Sequence, residues 1–215
     1  MSINIAAFVS GGGTNLQALI DEIEKKNING KIQLILSNNE NAYAIKRGEK
    51  HGIESIYIGK KNFSDINERN GKIIEILQEK NIDLIILAGY MSIIDKKLVR
   101  LYKNRIINIH PSLIPSFCGK GFYGKKVHEG VLEYGVKVTG ATVHFVDEGT
   151  DTGPVILQKS VIVKEDDTID SLSERVLKVE HEILPLAVKY FCEGKIKVEG
   201  RKVKIGGLED ETCTH

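Results

Sequence analysis

The chain has 215 residues, 30 basic and 29 acidic side chains, a formal net charge of +1 and 41% hydrophobic residues. That length buries a sizeable core, in one large domain or a domain with an appendage, and the balanced charge without a basic, aromatic-interleaved block gives no groove for nucleic acid. The N-terminal apolar run is too short for a signal peptide or membrane span, and three cysteines (Cys118, Cys192, Cys213) form no CxxC pair, so the expectation is a cytoplasmic protein without a disulfide framework.

Short apolar runs alternate with amphipathic stretches. Ile3–Val9, Ile32–Leu36, Ser55–Ile58, Leu84–Ala88 and Ile106–Ile109 read as strands buried on both faces. Between them Leu16–Lys25, Ala42–His51 and Ile66–Lys80 carry helical spacing with charged outer faces, the last opened by Ser64 with Asn67 and Glu68 behind it. Strands alternating with helices across short connections make crossover units and a parallel sheet. The fold class is therefore α/β: a Rossmann-like, open, mostly parallel twisted sheet flanked by helices, with residues 1–110 as its nucleotide-binding half.

After Pro111 the style changes, and the C-terminal half reads as mixed. Residues 112–126 are glycine-rich and irregular, a loop rather than an element. Val127–Tyr134 reads as a short helix, Lys137–Val146 as a half-buried strand and Val155–Val163 as a second strand. Thr168 opens a long helix through Tyr190, with Asp170 in its first turn. Residues 191–215 read as a short terminal hairpin (Lys195–Ile205) and a disordered tail, EDETCTH.

Chemistry concentrates at three places. In Asn108-Ile109-His110-Pro111 the side chains alternate faces, so Asn108 and His110 share one, and Pro111 ends the strand just after them. Imidazole titrates near pH ~6.5, so a nearby carboxylate holds it partly protonated around neutrality; it can then stabilise an oxyanion or move protons, with the amide donating to the same oxygen. Carboxylate candidates lie in the acidic loop as Asp147, Glu148 and Asp151; composition does not choose among them, and only the stiffening Gly153-Pro154 leans toward Asp151. The turn Ser10-Gly11-Gly12-Gly13-Thr14-Asn15 is neither a dinucleotide fingerprint nor a P-loop, and a monophosphate suits its backbone amides better than a longer phosphate chain; Thr14 and Asn15 add donors or cap the helix.

Other polar residues carry less. His51, His128, His144, His181 and Cys118 show no metal-ligand spacing, so no metal is expected. His144 reads as structural or supporting, Cys118 as incidental, and Glu180-His181 as a solvent-facing pair. Ala88–Ile94 is either packing or the apolar wall of a ring-binding pocket.

These segments together resemble the folate-dependent formyltransferases. The anchors are SGGGTNLQ at 10–17, SN at 37–38, LAGYM at 87–91, NIHPSLIP at 108–115, GATVHFV at 140–146, DTGPVI at 151–156 and Glu180-His181 with Pro185. The glycine turn and the short chain select the glycinamide ribonucleotide branch over relatives acting on methionyl-tRNA or nucleotide sugars. The resemblance implies a formyltransferase domain over 1–190, its folate and catalytic half at 111–190, and 10-formyltetrahydrofolate as formyl donor to the amine of glycinamide ribonucleotide in purine (IMP) biosynthesis. It implies Asn108, His110 and Asp151 as catalytic residues, with Asp151 orienting His110. Gly13, Thr14, Asn15 and Glu180 would hold the ribonucleotide; Met91, Ser92, Ile93, Ile94 and Asn108 would meet the folate. Partners are then small molecules, with no nucleic acid or membrane, and the protein a monomer or homodimer. The chain departs from its relatives at Ser92, where arginine is common, at Thr150, usually aliphatic, and at Thr152, often glycine.

Overall fold

The computed structural model of the chain describes residues 2–63 and 65–207; Ser64 and the EDETCTH tail, for which expectations were stated, lie outside the described residues. The five apolar runs form strands β1 (Ile3–Val9), β2 (Gly30–Ser37), β3 (Ser55–Tyr57), β4 (Leu84–Leu87) and β5 (Ile106–His110). All pair in parallel, in the order β3-β2-β1-β4-β5. β6 (Val138–Phe145) then adds antiparallel to β5, and β7 (Val155–Ile162) antiparallel to β6. This is the expected mostly parallel α/β sheet with a mixed C-terminal side.

Helices α1 (Thr14–Glu24), α2 (Tyr43–Lys50), α3 (Ile66–Glu79), α4 (Lys96–Leu101), α5 (Lys125–Tyr134) and α6 (Ile169–Cys192) flank the sheet, and β8 (Ile196–Glu199) pairs with β9 (Lys202–Ile205) as a separate hairpin. The alternation of strand side chains divides the core into two layers. Ile5, Ala7, Val9, Ile107, Ile109, Val143 and Phe145 pack with α1, α5 and α6. Ala6, Phe8, Leu34, Leu87 and Ile106 pack with α3 and α4.

One element is added and one expectation changes. α4 was not anticipated: six residues are under two turns, too few for a 3.6-residue period to register, and its start is fixed by Asp95, whose side chain accepts the Lys97 N–H. β6 was expected to be half-buried, yet all of it beyond Val138 is buried. One face meets α6, and on the other Thr142 Oγ1 donates 2.6 Å to the Ser112 carbonyl of the 112–126 loop. Polar residues along an alternating strand were thus covered by a loop rather than by water.

The layer of α3 and α4 reaches the start of β5 at Ile106 but does not extend over Asn108 and His110. By parity Asn108 and His110 share the face of Ile106, and the antiparallel register sets His144 opposite Asn108 and Thr142 opposite His110. This stretch of sheet is roofed by loops, which is where polar groups can meet a ligand.

Candidate active site

The strand order reverses between β1 and β4, the place where open α/β sheets receive ligands at their strand C-termini. The glycine turn leaves β1 there. Gly13 caps α1 in the left-handed region, at φ 69°, and a Cβ on it would sit 2.6 Å from the Ala44 Cβ, so a side chain is excluded both by conformation and by space. Neither Thr14 nor Asn15 is the cap, and Gly13, which is, has no side chain to offer the N-terminal amides of α1. Asn15 instead turns inward, and its Nδ2 donates to Glu180 Oε2 at 2.6 Å.

Glu180, read from the residues alone as solvent-facing, is 8% exposed and buried between α6 and α1. Burial raises its carboxyl to about 7, against the opposing hydrogen bond from Asn15. The structure thus brings Gly13, Thr14, Asn15 and Glu180 to one place.

At the end of β5, Asn108 Nδ2 lies 3.1 Å from His144 Nε2. His144 Nδ1 donates to the Phe145 carbonyl at 2.8 Å, which leaves Nε2 to accept from Asn108 and so fixes the amide's orientation. Burial lowers the pKa of His144, in keeping with that neutral tautomer. His110, 5% exposed, donates from Nε2 to the Phe117 carbonyl at 2.9 Å, and its Nδ1 lies 3.6 Å from Asp151 Oδ2. That separation is an electrostatic contact beyond hydrogen-bond length.

Asp151 sits at φ 56°, a left-handed conformation uncommon outside glycine, and Oδ2 accepts the Gly119 N–H at 2.9 Å. The other two acidic candidates are engaged elsewhere. Asp147 Oδ1 accepts from Gly149 N–H and from Thr152 Oγ1, and Glu148 forms a two-pronged pair with Arg100 of α4 at 2.7 and 3.2 Å. Only Asp151 faces the histidine.

The segment after β4 completes the surroundings. Met91 N–H donates 2.8 Å to Ser10 Oγ, tying it to the glycine turn. Ser92 accepts from Asn38 Nδ2 at 2.6 Å. Met91 and Ile93 are exposed at 56% and 88%, whereas Ile94 packs on the α3 and α4 layer. The four residues therefore divide: two present apolar surface to solvent, and Ile94 serves the core.

Residues 3–188 match the family model described as formyl transferase. The chain belongs to that family. It is 36% identical over 203 residues to a phosphoribosylglycinamide formyltransferase of Haemophilus influenzae, covering 94% of this chain and 93% of the relative. A Bacillus subtilis protein of the same name is 38% identical over 86% of this chain and 92% of its own length. The chain also matches the human trifunctional purine biosynthetic protein adenosine-3 at 40% identity, but spans only 20% of that protein's length. Among solved structures, the glycinamide ribonucleotide transformylase 1 of Symbiobacterium toebii superposes with a TM-score of 0.89 at 39% identity, covering 95% and 94% of the two chains.

In this chain the residues alone gave His144 a structural or supporting part without naming Asn108 as its partner, and did not reveal what holds the acidic loop. His144 fixes Asn108 only through cross-strand register, and Arg100 anchors the loop from a helix that periodicity did not reveal. Neither has a local signature. Among the described residues, no helix is long and apolar enough to cross a membrane.

Proposed function

We propose that this chain is a cytoplasmic enzyme transferring the formyl group of 10-formyltetrahydrofolate to the primary amine of glycinamide ribonucleotide, in purine biosynthesis. The observation that carries the reading is the convergence of Asn108, His110 and Asp151 at the C-terminal end of β5, in the sheet whose β1 leads into the glycine turn, in a chain aligned along nearly its full length with relatives named for this reaction.

The ribonucleotide's phosphate lies at the α1 N-terminus, where orphan amides favour an anion, and Glu180 accepts from its ribose hydroxyls. The pterin ring takes the space between Met91–Ile94 and the 147–151 loop. The amine nitrogen attacks the formyl carbon, and the carbonyl oxygen gathers negative charge. Asn108 supplies one N–H to that oxygen, since His144 holds the amide in place. With both ring nitrogens carrying protons, His110 supplies the second donor from Nδ1, which lies 3.6 Å from Asp151 Oδ2 and makes no hydrogen bond to it. The carbon–nitrogen bond to the folate breaks, and the proton of the attacking nitrogen passes through water to the leaving nitrogen. The enzyme forms no covalent intermediate. No metal is assigned a part.

The test is an assay of purified protein with both substrates, following the absorbance of the deformylated folate and the formylated ribonucleotide by mass. Turnover that needs the amine supports the reading; formate release without an acceptor would instead assign hydrolysis, and no reaction from a folded protein refutes formyl transfer.

A further inference from the structure

The glycine turn is held in shape by a neighbouring element. Three successive carbonyls are drawn to residues 39–47: Ser10 accepts from Asn39 Nδ2 at 3.1 Å, Gly11 from the Ala44 N–H at 3.1 Å and Gly12 from Arg47 Nε at 2.8 Å. In a trans peptide the carbonyl and the following N–H point in opposite directions. The amides of Gly11, Gly12 and Gly13 are thereby turned away from α2. On Gly11 and Gly12 an added Cβ would meet nothing within 4 Å, so the turn borders open space.

Arg47 is the charged member of this set. Its Nη1 donates to Gln17 Oε1 at 3.0 Å and its guanidinium lies 5.1 Å over the Tyr43 ring. Among the described residues no carboxylate pairs with it. Its acceptors are neutral, so its charge is not cancelled beside the α1 N-terminus. A separate sign of a polar ligand is Asn15, 8% exposed, whose Oδ1 is buried without a partner.

We propose that Arg47 is a positioning residue for the ribonucleotide's phosphate. It fixes the Gly12–Gly13 peptide with its amide turned toward the anion and adds an uncancelled positive charge next to it. The proposal rests on the reading of the glycine turn as the ribonucleotide site. It concerns a residue of α2 that no motif singles out.

Arg47→Ala, Arg47→Gln and Arg47→Lys separate the possibilities. Arg47→Ala is expected to raise KM for glycinamide ribonucleotide at least about tenfold, the size of one lost charge-assisted hydrogen bond, with kcat and folate KM within about threefold of wild type. Arg47→Lys should recover part of the loss, and Arg47→Gln less. A residue that only ties α2 to α1 would lower the melting temperature and leave the two KM values in their original ratio; that result, or a ribonucleotide KM within about twofold of wild type, overturns the proposal. If the wild type shows no formyl transfer, the functional reading fails. Calorimetric titration with inorganic phosphate then decides for Arg47: binding weakened in Arg47→Ala supports it, while equal binding, or none to wild type, overturns it.

Discussion

Glu180 is a carboxylate placed where ionisation is costly. Its folded value of about 7 lies above the ordinary 4.5, because burial penalises the charged form. The folded protein therefore holds a proton, between these values, that the unfolded chain releases, and this contribution to stability is present below pH 4.5 and lost as pH rises through 7. Glu180→Gln keeps an acceptor for Asn15 and cannot ionise. Relative to wild type it should be more stable at pH 8 than at pH 5, by up to about 3 kcal/mol, in urea unfolding at both values. His128, lowered by burial to about 4, has the opposite slope, but it is common to both proteins and drops out of the difference. An unchanged difference between the two pH values would show that Glu180 does not titrate as described.

His110 and Asp151 belong to the same scale. Asp151→Asn retains a residue that tolerates φ 56°, so the loop should keep its path while the negative charge beside His110 disappears. With His110→Ala it is expected to lower kcat by about 10²–10⁴-fold. Melting curves should remain cooperative. Near-wild-type turnover in either variant would remove that residue from the mechanism.

At the scale of elements, the turn between β1 and α1 and the bend between β6 and β7 are fixed by close backbone approach. Gly13→Ala would force a side chain into the left-handed region against Ala44, at a cost of about 1–3 kcal/mol. Its ribonucleotide KM should rise with little change in folate KM. Gly153 is tighter still, since a Cβ there would lie 1.8 Å from the Phe145 carbonyl. Gly153→Ala must therefore shift the chain directly after Asp151, and the expected result is loss of activity together with a lowered denaturation midpoint. A fully active Gly153→Ala would mean that the 151–154 path is not needed in this form.

The elements also show what local patterning can reveal. The five parallel strands were legible because Ile and Leu runs of strand length, bounded by polar turns, have few other places to go. Helix α4 was not, being too short to show a period, and β6 misled because alternation tells which side chains share a face but not what covers that face. The Glu180-His181 pair failed for a related reason: a charged residue within a helix reads as solvent-facing until another helix is placed against it.

Across the whole molecule, the site sits where one layer of helices ends. Phe8 of β1 fills the α3 and α4 layer and meets Tyr90 edge to face, with centroids 5.3 Å apart. Phe8→Ala should cost about 3–5 kcal/mol in urea unfolding. Because Tyr90 precedes Met91, the same variant should raise folate KM more than ribonucleotide KM. Equal effects on both would show that this core layer does not support the folate side in particular.

The sequence by itself determined the parallel sheet, the glycine turn and the shared face of Asn108 and His110, since each follows from side-chain periodicity or backbone freedom within a few residues. The partner of His110 was a different kind of question, which the family resemblance answered with Asp151 but the residues themselves did not. Asp147, Glu148 and Asp151 are chemically near-equivalent and lie within one short loop. Only the fold, through the Arg100 clasp on Glu148, the internal bonds of Asp147 and the left-handed turn at Asp151, brings one of the three carboxylates to the ring. Contacts between residues about forty positions apart depend on strand register and loop path, which no local spacing encodes.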